Sequence, residues 1–207
     1  MTGSDLTDKL AQFNEFFSID DDFTVNVTLL DPQHIGSYQT FVDCIPAPFK
    51  MASEIATIDQ SALKPIQALS GIAGQLVDYL NFQAQKIDLM MSYIVQQENQ
   101  KENRHQGKSF GGGGFSFESN TEFSVGDMLE AKIFIPADNC AIFCYGEVIT
   151  VNHADSSLPE GDLFTYQVIY HYIQDEDRDL LVRASLHKQS KQLKKLAEER
   201  RQHKTND

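Results

Sequence analysis

Four consecutive glycines, Gly111 to Gly114, lie inside the stretch Ser109-Phe-Gly-Gly-Gly-Gly-Phe-Ser-Phe117 and open a series of alternating apolar segments. Glycine leaves the backbone uncovered, so such a run suits either the entry to a strand or the close approach of another group. The residues downstream favour strands. Phe115-Ser-Phe117 reads as a short one. After a Ser-Val-Gly-Asp turn at Ser124 to Asp127, Met128 to Ile135 places Leu129, Ala131, Ile133 and Ile135 on one face. Ala141 to Val151 and Leu163 to Ile173 alternate in the same way, with a turn between them at Asp155 to Gly161. Burial of every second residue over successive segments with short turns predicts an antiparallel sheet curling into a small barrel. The series ends at the acidic turn Gln174-Asp-Glu-Asp177, succeeded by a basic amphipathic helix. Asp175 is its expected N-cap, and Glu176, Asp177 and Asp179 complement the positive end of its dipole. Leu180, Leu181, Ala184, Leu193 and Leu196 are expected to pack down.

Upstream, Asp5 to Phe17 reads as a short helix, and Phe23 to Leu30 as a strand ended by Asp31-Pro32. Pro46 and Pro48 break the segment from Gln33 to Met51, in which Tyr38 to Val42 is a candidate strand. From about Ser61 to Arg104 the pattern is helical. Ile66, Leu69, Ala73, Leu76, Leu80, Ile87, Met90 and Ile94 recur at steps of three and four, the seam of a coiled coil, which Gln83 interrupts. At about 1.5 Å per residue this helix would run roughly 60 Å, too long for one small barrel to cover. A helix packed along its own domain is the plainer reading; association between chains is the favoured one. Gln96 to Lys108 is polar, with a break expected near His105-Gln-Gly107.

The fold class is therefore α+β: a small antiparallel β-barrel with a long inserted helix and a C-terminal closing helix. Residues 12–31 and 107–200 form the barrel with its helix, 60–104 the oligomerising insertion, and 201–207 a flexible tail.

The 207 residues carry a net charge of −13, which argues against general binding of DNA or RNA, because phosphate backbones demand a basic face. The charge is uneven: Arg183 to Lys204 holds eight Lys or Arg against two Glu. Within it, the basic stretch Lys188 to Lys204 suits either an anionic lipid or nucleic acid, or the acidic body of its own oligomer, and the last is the favoured reading. The N-terminus lacks a signal-peptide pattern and no window suits a membrane span, so a cytoplasmic protein is expected. Three cysteines, Cys44, Cys140 and Cys144, suit a reducing compartment and read as small hydrophobes. His34, His105, His153, His171, His187 and His203 show no metal-ligand spacing. Gly107-Lys-Ser109 lacks the earlier glycine of a P-loop, since Glu102 stands there. No nucleophile elbow, Cys/His pairing or carboxylate pair is apparent. No catalytic residue and no resident cofactor are expected, so the chain is read as a non-enzyme.

These features together resemble the PilZ domain family of bacteria. Asn14-Glu-Phe-Phe-Ser18, running into Ile19-Asp-Asp-Asp-Phe23, is similar to the family's start, where Arg-x-x-x-Arg precedes the first strand. Gly107-Lys-Ser-Phe-Gly-Gly112 is similar to its second motif, Asp/Asn-x-Ser-x-x-Gly. Phe123 to Asp127 resembles the mid-domain strand entry, and Tyr166 to Arg183 the last strand and closing helix. The resemblance implies binding of cyclic di-GMP, with the arginines embracing its phosphates and stacking on guanine, as the planar guanidinium fork allows. Here Asn14 and Ser18 stand at the arginine positions, and Gly107 at the Asp/Asn position. Ser109 and Gly112 keep the rest of the second motif in one alignment; in another, Gly111 replaces the serine and Gly114 is the terminal glycine. Loss of two charged contacts, at about 1.5–3 kcal/mol each, would carry a micromolar binder towards millimolar.

The expected function is thus a signalling or adaptor protein with a degenerate cyclic di-GMP site, working through self-association and an unidentified protein partner. One alternative is a working receptor whose phosphate contacts come from Arg104, Lys108 or Arg178. Another is a ligand-free scaffold.

Overall fold

In the computed structural model, which describes residues 3–55, 72–135, 140–153 and 163–205, six strands close into an antiparallel barrel. They are β1 (Ser18–Leu29), β2 (Arg104–Gly111), β3 (Gly114–Ser119), β4 (Met128–Ile135), β5 (Cys140–His153) and β6 (Phe164–Tyr172), in the order β1-β2-β3-β6-β5-β4. β1 closes the barrel, pairing with β2 along one edge and with β4 along the other. Among the described residues, five α-helices surround it: α1 (Gly3–Glu15), α2 (Tyr38–Cys44), α3 (47–55), α4 (Ile72–Gln96) and α5 (Asp175–Thr205).

The alternation read from β4 is the one observed: Leu129, Ala131, Ile133 and Ile135 all point into the core. They meet Phe23, Phe110, Phe115, Phe117 and Tyr166 in a side-chain-filled interior, as a barrel of this size requires. Leu181 and Ala184 of α5 close one end of that core, with Leu180 packed against it. The Ser124–Asp127 turn is present, with Gly126 at φ 96°.

Several expectations are corrected. Tyr38 to Val42 is helical, because Ser37 caps α2 with its hydroxyl and Phe41 needs one face only, against Phe143 and Tyr145. α4 ends at Gln96, and Arg104 already belongs to β2, so the barrel resumes three residues before the expected boundary. The polar segment to Lys108 hid this strand because Arg104 and Gln106 face water and Gly107, the first buried position, carries no side chain to mark the alternation. α5 begins at Asp175 itself: the Gln174 carbonyl accepts the bond from Arg178 N at 3.0 Å, so the capping position falls on Gln174. It runs to Thr205, where a flexible tail from 201 was expected. Leu193 faces solvent rather than the barrel. Cys140 and Cys144 are buried, whereas Cys44 is exposed on α2. Ile66 and Leu69 of the proposed seam lie outside the described residues.

A second apolar layer covers the outside of β4 and β5. Phe134, Phe143 and Tyr145 project outward there, under Phe41, Ile45 and Phe49 of α2–α3 and under Met91 and Val95 of α4. This explains why β5 is apolar on both faces. A carboxylate lies at the joint between α3 and α5: Asp177 is 2% exposed and hydrogen-bonded to Ser53, and its Oδ1 has no partner. Burial pushes its carboxyl up to about 7. Because the folded-state value is raised, the neutral form is the one the fold favours. Stability is therefore fully present below about pH 4, where the unfolded chain is also protonated, and is lost as pH rises towards about 7. Asp177→Asn should flatten the fall in Tm over that window and raise Tm at neutral pH by several degrees. Thermal melts at stepped pH test this; a variant that keeps the wild-type pH profile would exclude Asp177 as the cause.

Candidate functional site

The corner at which the motif residues converge is built from the α1–β1 junction, the β2–β3 turn and the first turns of α5. In β1, Ser18 pairs with Gly111, Ile19 with Phe110 and Asp20 with Ser109. The two stretches that resemble the family's motifs therefore do lie side by side. Asn14 is in the last turn of α1 and is exposed, as is Ser18. Ser109 shares a 2.6 Å hydroxyl–hydroxyl contact with Ser116 across the β2–β3 hairpin.

The glycines are explained by space. Among the described residues the left-handed glycines are Gly36 and Gly126, outside the run. A Cβ on Gly111 would strike the Phe17 carbonyl oxygen, and one on Gly114 the Val168 carbonyl oxygen. On Gly112 it would sit 2.6 Å from the Phe16 ring, and on Gly113 2.7 Å from the Phe13 carbonyl oxygen. The run is thus a saddle on which the end of α1 lies. Leu6, Leu10 and Phe13, at helical spacing, form a small core with Ile149 of β5 and Ile169 of β6. Lys9 pins the helix through a 2.8 Å ion pair with Glu147. Sequence reading took 5–17 as a helix and gave its end, from Asn14, only a ligand-motif role; the Leu6, Leu10, Phe13 stripe was the available signal for packing.

Arg178 reaches this corner from α5. Its NH1 donates to the Gly112 carbonyl at 2.6 Å, and its guanidinium lies 5.7 Å from the Phe16 ring centre and 5.8 Å from that of Tyr170. The other candidate cations lie elsewhere. Lys108 is 3.0 Å from Glu118. Arg104 donates to the side chain and carbonyl of Asn99, at 2.9 and 3.2 Å. Arg104 stands opposite Asn26 at the far end of β2, about 23 Å along the strand from Gly111 at roughly 3.3 Å per residue. Arg104 and Arg178 therefore do not face a common ligand. Lys188, which sequence reading placed only in the basic C-terminal stretch, pairs with Asp21 and lies 5.8 Å from the Phe110 ring centre.

Negative charge gathers at the corner beside the Arg178 guanidinium. α1 presents its C-terminal end, with the Gln12 and Phe13 carbonyls against Gly113, and a helix C-terminus carries the negative end of the dipole. Asp20 to Asp22 come directly after it on β1. Burial holds the Tyr170 hydroxyl well above its usual range, so it stays a neutral phenol beside Arg178. Elsewhere burial lowers His105, which packs on Phe117 and Phe123, and raises the Cys144 thiol. Among the described residues no cluster of three His, Cys, Asp or Glu could hold a metal ion, and no helix is long and apolar enough to cross a membrane.

Comparison with known proteins identifies the architecture. The sequence matches no family model and no curated protein. Among solved structures, the chain is similar to a tetrameric PilZ domain protein from Xanthomonas campestris, described as self-assembled via an unusual helical bundle. The identity is 15% and the TM-score 0.50, over 89% of this chain and 96% of that one. The PilZ domain of YcgR from Escherichia coli, solved with c-di-GMP, shares 10% identity at a TM-score of 0.38, over 47% of this chain and 82% of that one. The Bacillus subtilis inhibitor of motility MotI/DgrA shares 18% identity at a TM-score of 0.38, over 44% of each chain. The fold is PilZ-like: an α+β barrel with a closing helix.

Gly113→Ala should push α1 off the saddle at a cost of about 1–3 kcal/mol, the usual range for overpacking. Limited proteolysis should then cut within 3–17 faster than in wild type. Gly74→Ala, whose Cβ would meet nothing within 4 Å, is the control and should be neutral or stabilising. Equal protection of α1 in both variants would contradict the saddle.

Proposed function

We propose that the chain is a non-enzymatic signalling or adaptor protein of the PilZ type, cytoplasmic, with a degenerate cyclic di-GMP corner, acting through self-association and contact with a protein partner. The observation that carries this reading is on α4. Leu76, Leu80, Ile87, Met90 and Ile94 of the expected seam are exposed, while Met91 and Val95 attach the helix to the barrel. A second stripe accompanies the first: Tyr79, Phe82, Leu89 and Tyr93 are exposed as well, Leu89 at 74% and Tyr93 at 69%. Each lies one residue before a position of the first seam, so the two stripes are rotated by about 100°. A helix with two apolar stripes at roughly a right angle suits two neighbours, the arrangement of a square four-helix bundle. Large aromatic and aliphatic side chains at this density are unusual for a surface that stays in water. The bundle-forming tetramer from Xanthomonas campestris is consistent with such an assembly.

The degenerate corner is supported by the missing arginines and by α1 on the glycine saddle. A second reading, in which the chain still takes cyclic di-GMP as a regulatory ligand, is favoured by one observation, the Arg178 guanidinium at Gly112 between two aromatic rings.

Leu80→Asp with Ile87→Asp should lower the mass measured by light scattering, and so should Phe82→Asp with Leu89→Asp. A wild-type mass for either pair would remove that stripe from the interface. If the second pair leaves dimers, the contacts are isologous; monomers indicate a head-to-tail ring. Calorimetric titration with cyclic di-GMP should show no binding tighter than about millimolar. Micromolar binding that Arg178→Ala abolishes would establish the second reading instead.

A further inference from the structure

α5 is two helices in function. Its first half belongs to the barrel: Asp177, Leu181, Ala184 and Ser185 are buried, and Lys188 is tied to Asp21. From residue 189 it continues as helix to Thr205, and 190–195 are all exposed. At about 1.5 Å per residue these last residues form an arm of roughly 25 Å. A helix of this length is marginal in water without a packing partner.

The charge divides at the same point. Residues 189–205 carry six Lys or Arg against two Glu, whereas 1–188 carry eleven against 27 Asp or Glu. Lys191, Lys194 and Lys195 are exposed, and Leu186 and Leu193, a heptad apart, form a narrow exposed apolar stripe. The arm is longer than the roughly 8 Å over which charge is felt at physiological salt, so its tip escapes the field of its own barrel. It is a basic surface with a leucine ridge, carried by an acidic body.

We propose that this arm docks on the acidic barrel of a second copy of the chain. Charge complementarity selects that occupant. Another copy presents the opposite charge, its residues 1–188 carrying 27 Asp or Glu against eleven Lys or Arg, and unlike a membrane or a nucleic acid it is held within reach of the arm by the α4 stripes. The α4 stripes supply the proximity. To that extent the inference rests on the assembly proposed above, and a bundle raises the local concentration of barrels around each arm. The arms then act as electrostatic straps around a core held by apolar contacts, which makes assembly sensitive to ionic strength.

The test is sedimentation of the full chain and of a Lys191→Glu, Lys194→Glu, Lys195→Glu variant between about 0.05 and 0.5 M salt, spanning strong to weak electrostatic attraction. These side chains are exposed, so folding should be unaffected, which an unchanged circular-dichroism spectrum checks. The wild type should dissociate more readily as salt rises. The variant should dissociate about tenfold more readily at low salt and lose that salt dependence. Unchanged dissociation and an unchanged salt slope would overturn the proposal. So would arm-dependent binding to vesicles containing phosphatidylserine, or to duplex DNA, with assembly unaffected. A wild type that associates only at low salt would refute the α4 bundle while leaving the arm contact standing; a wild type monomeric throughout would refute both.

Discussion

Barrel closure depends on β1. It is the strand that both edges of the remaining sheet must find, β2 on one side and β4 on the other, and between β1 and β2 the chain makes its long excursion through α2, α3 and α4. Loop-closure entropy grows only slowly with length, so an insertion of this size is compatible with the pairing. What offsets it is the interior: Phe23, Val25 and Val27 from β1 lock against the aromatic rows of β2 and β3. A closed barrel has no open edge, and every inserted element must therefore pack on its outer faces or project away. The chain does both.

Two faces are covered. α2, α3 and the last turns of α4 lie on β4–β5 through an aromatic layer, which holds α4 at its C-terminal end and leaves its apolar flanks outward. Asn26 bonding to the Gln100 carbonyl, and Lys132 paired with Glu98 at 2.8 Å, fix the strap by which α4 returns to the barrel. α1 covers β5–β6 and ends on the glycine saddle. The backbone of the glycine run is thereby covered by the chain itself, at the C-terminal end of a helix.

In the proposed assembly, the acidic body and basic arm would add a term of longer range. Apolar stripes on α4 are non-directional and tolerate slippage, whereas opposed charges disfavour wrong pairings and fix register. A chain with both would associate through one and align through the other.

Reading the sequence was effective where one local pattern sufficed. The alternation of Leu129, Ala131, Ile133 and Ile135, the Ser124–Asp127 turn and the closing helix all derive from period, turn chemistry and charge order, which are properties of neighbouring residues. It was less effective where burial comes from both sides or from afar. β2 is polar outside and was missed; Tyr38 to Val42 has strand-like composition but is a capped helix under Phe143 and Tyr145; β5 owes its second apolar face to helices distant in the chain. The second α4 stripe was present in the spacing of Tyr79, Phe82, Leu89 and Tyr93, overlaid by the first. The sequence by itself determined the barrel, the absence of arginine at positions 14 and 18, and the division of charge, since these are fixed by residue identity and local period. Only the tertiary structure decided what the four glycines are for, because their neighbours, Phe13, Phe16 and Phe17, lie about a hundred residues earlier in the chain. No local pattern encodes a contact between backbones that meet only when β1 pairs with β2.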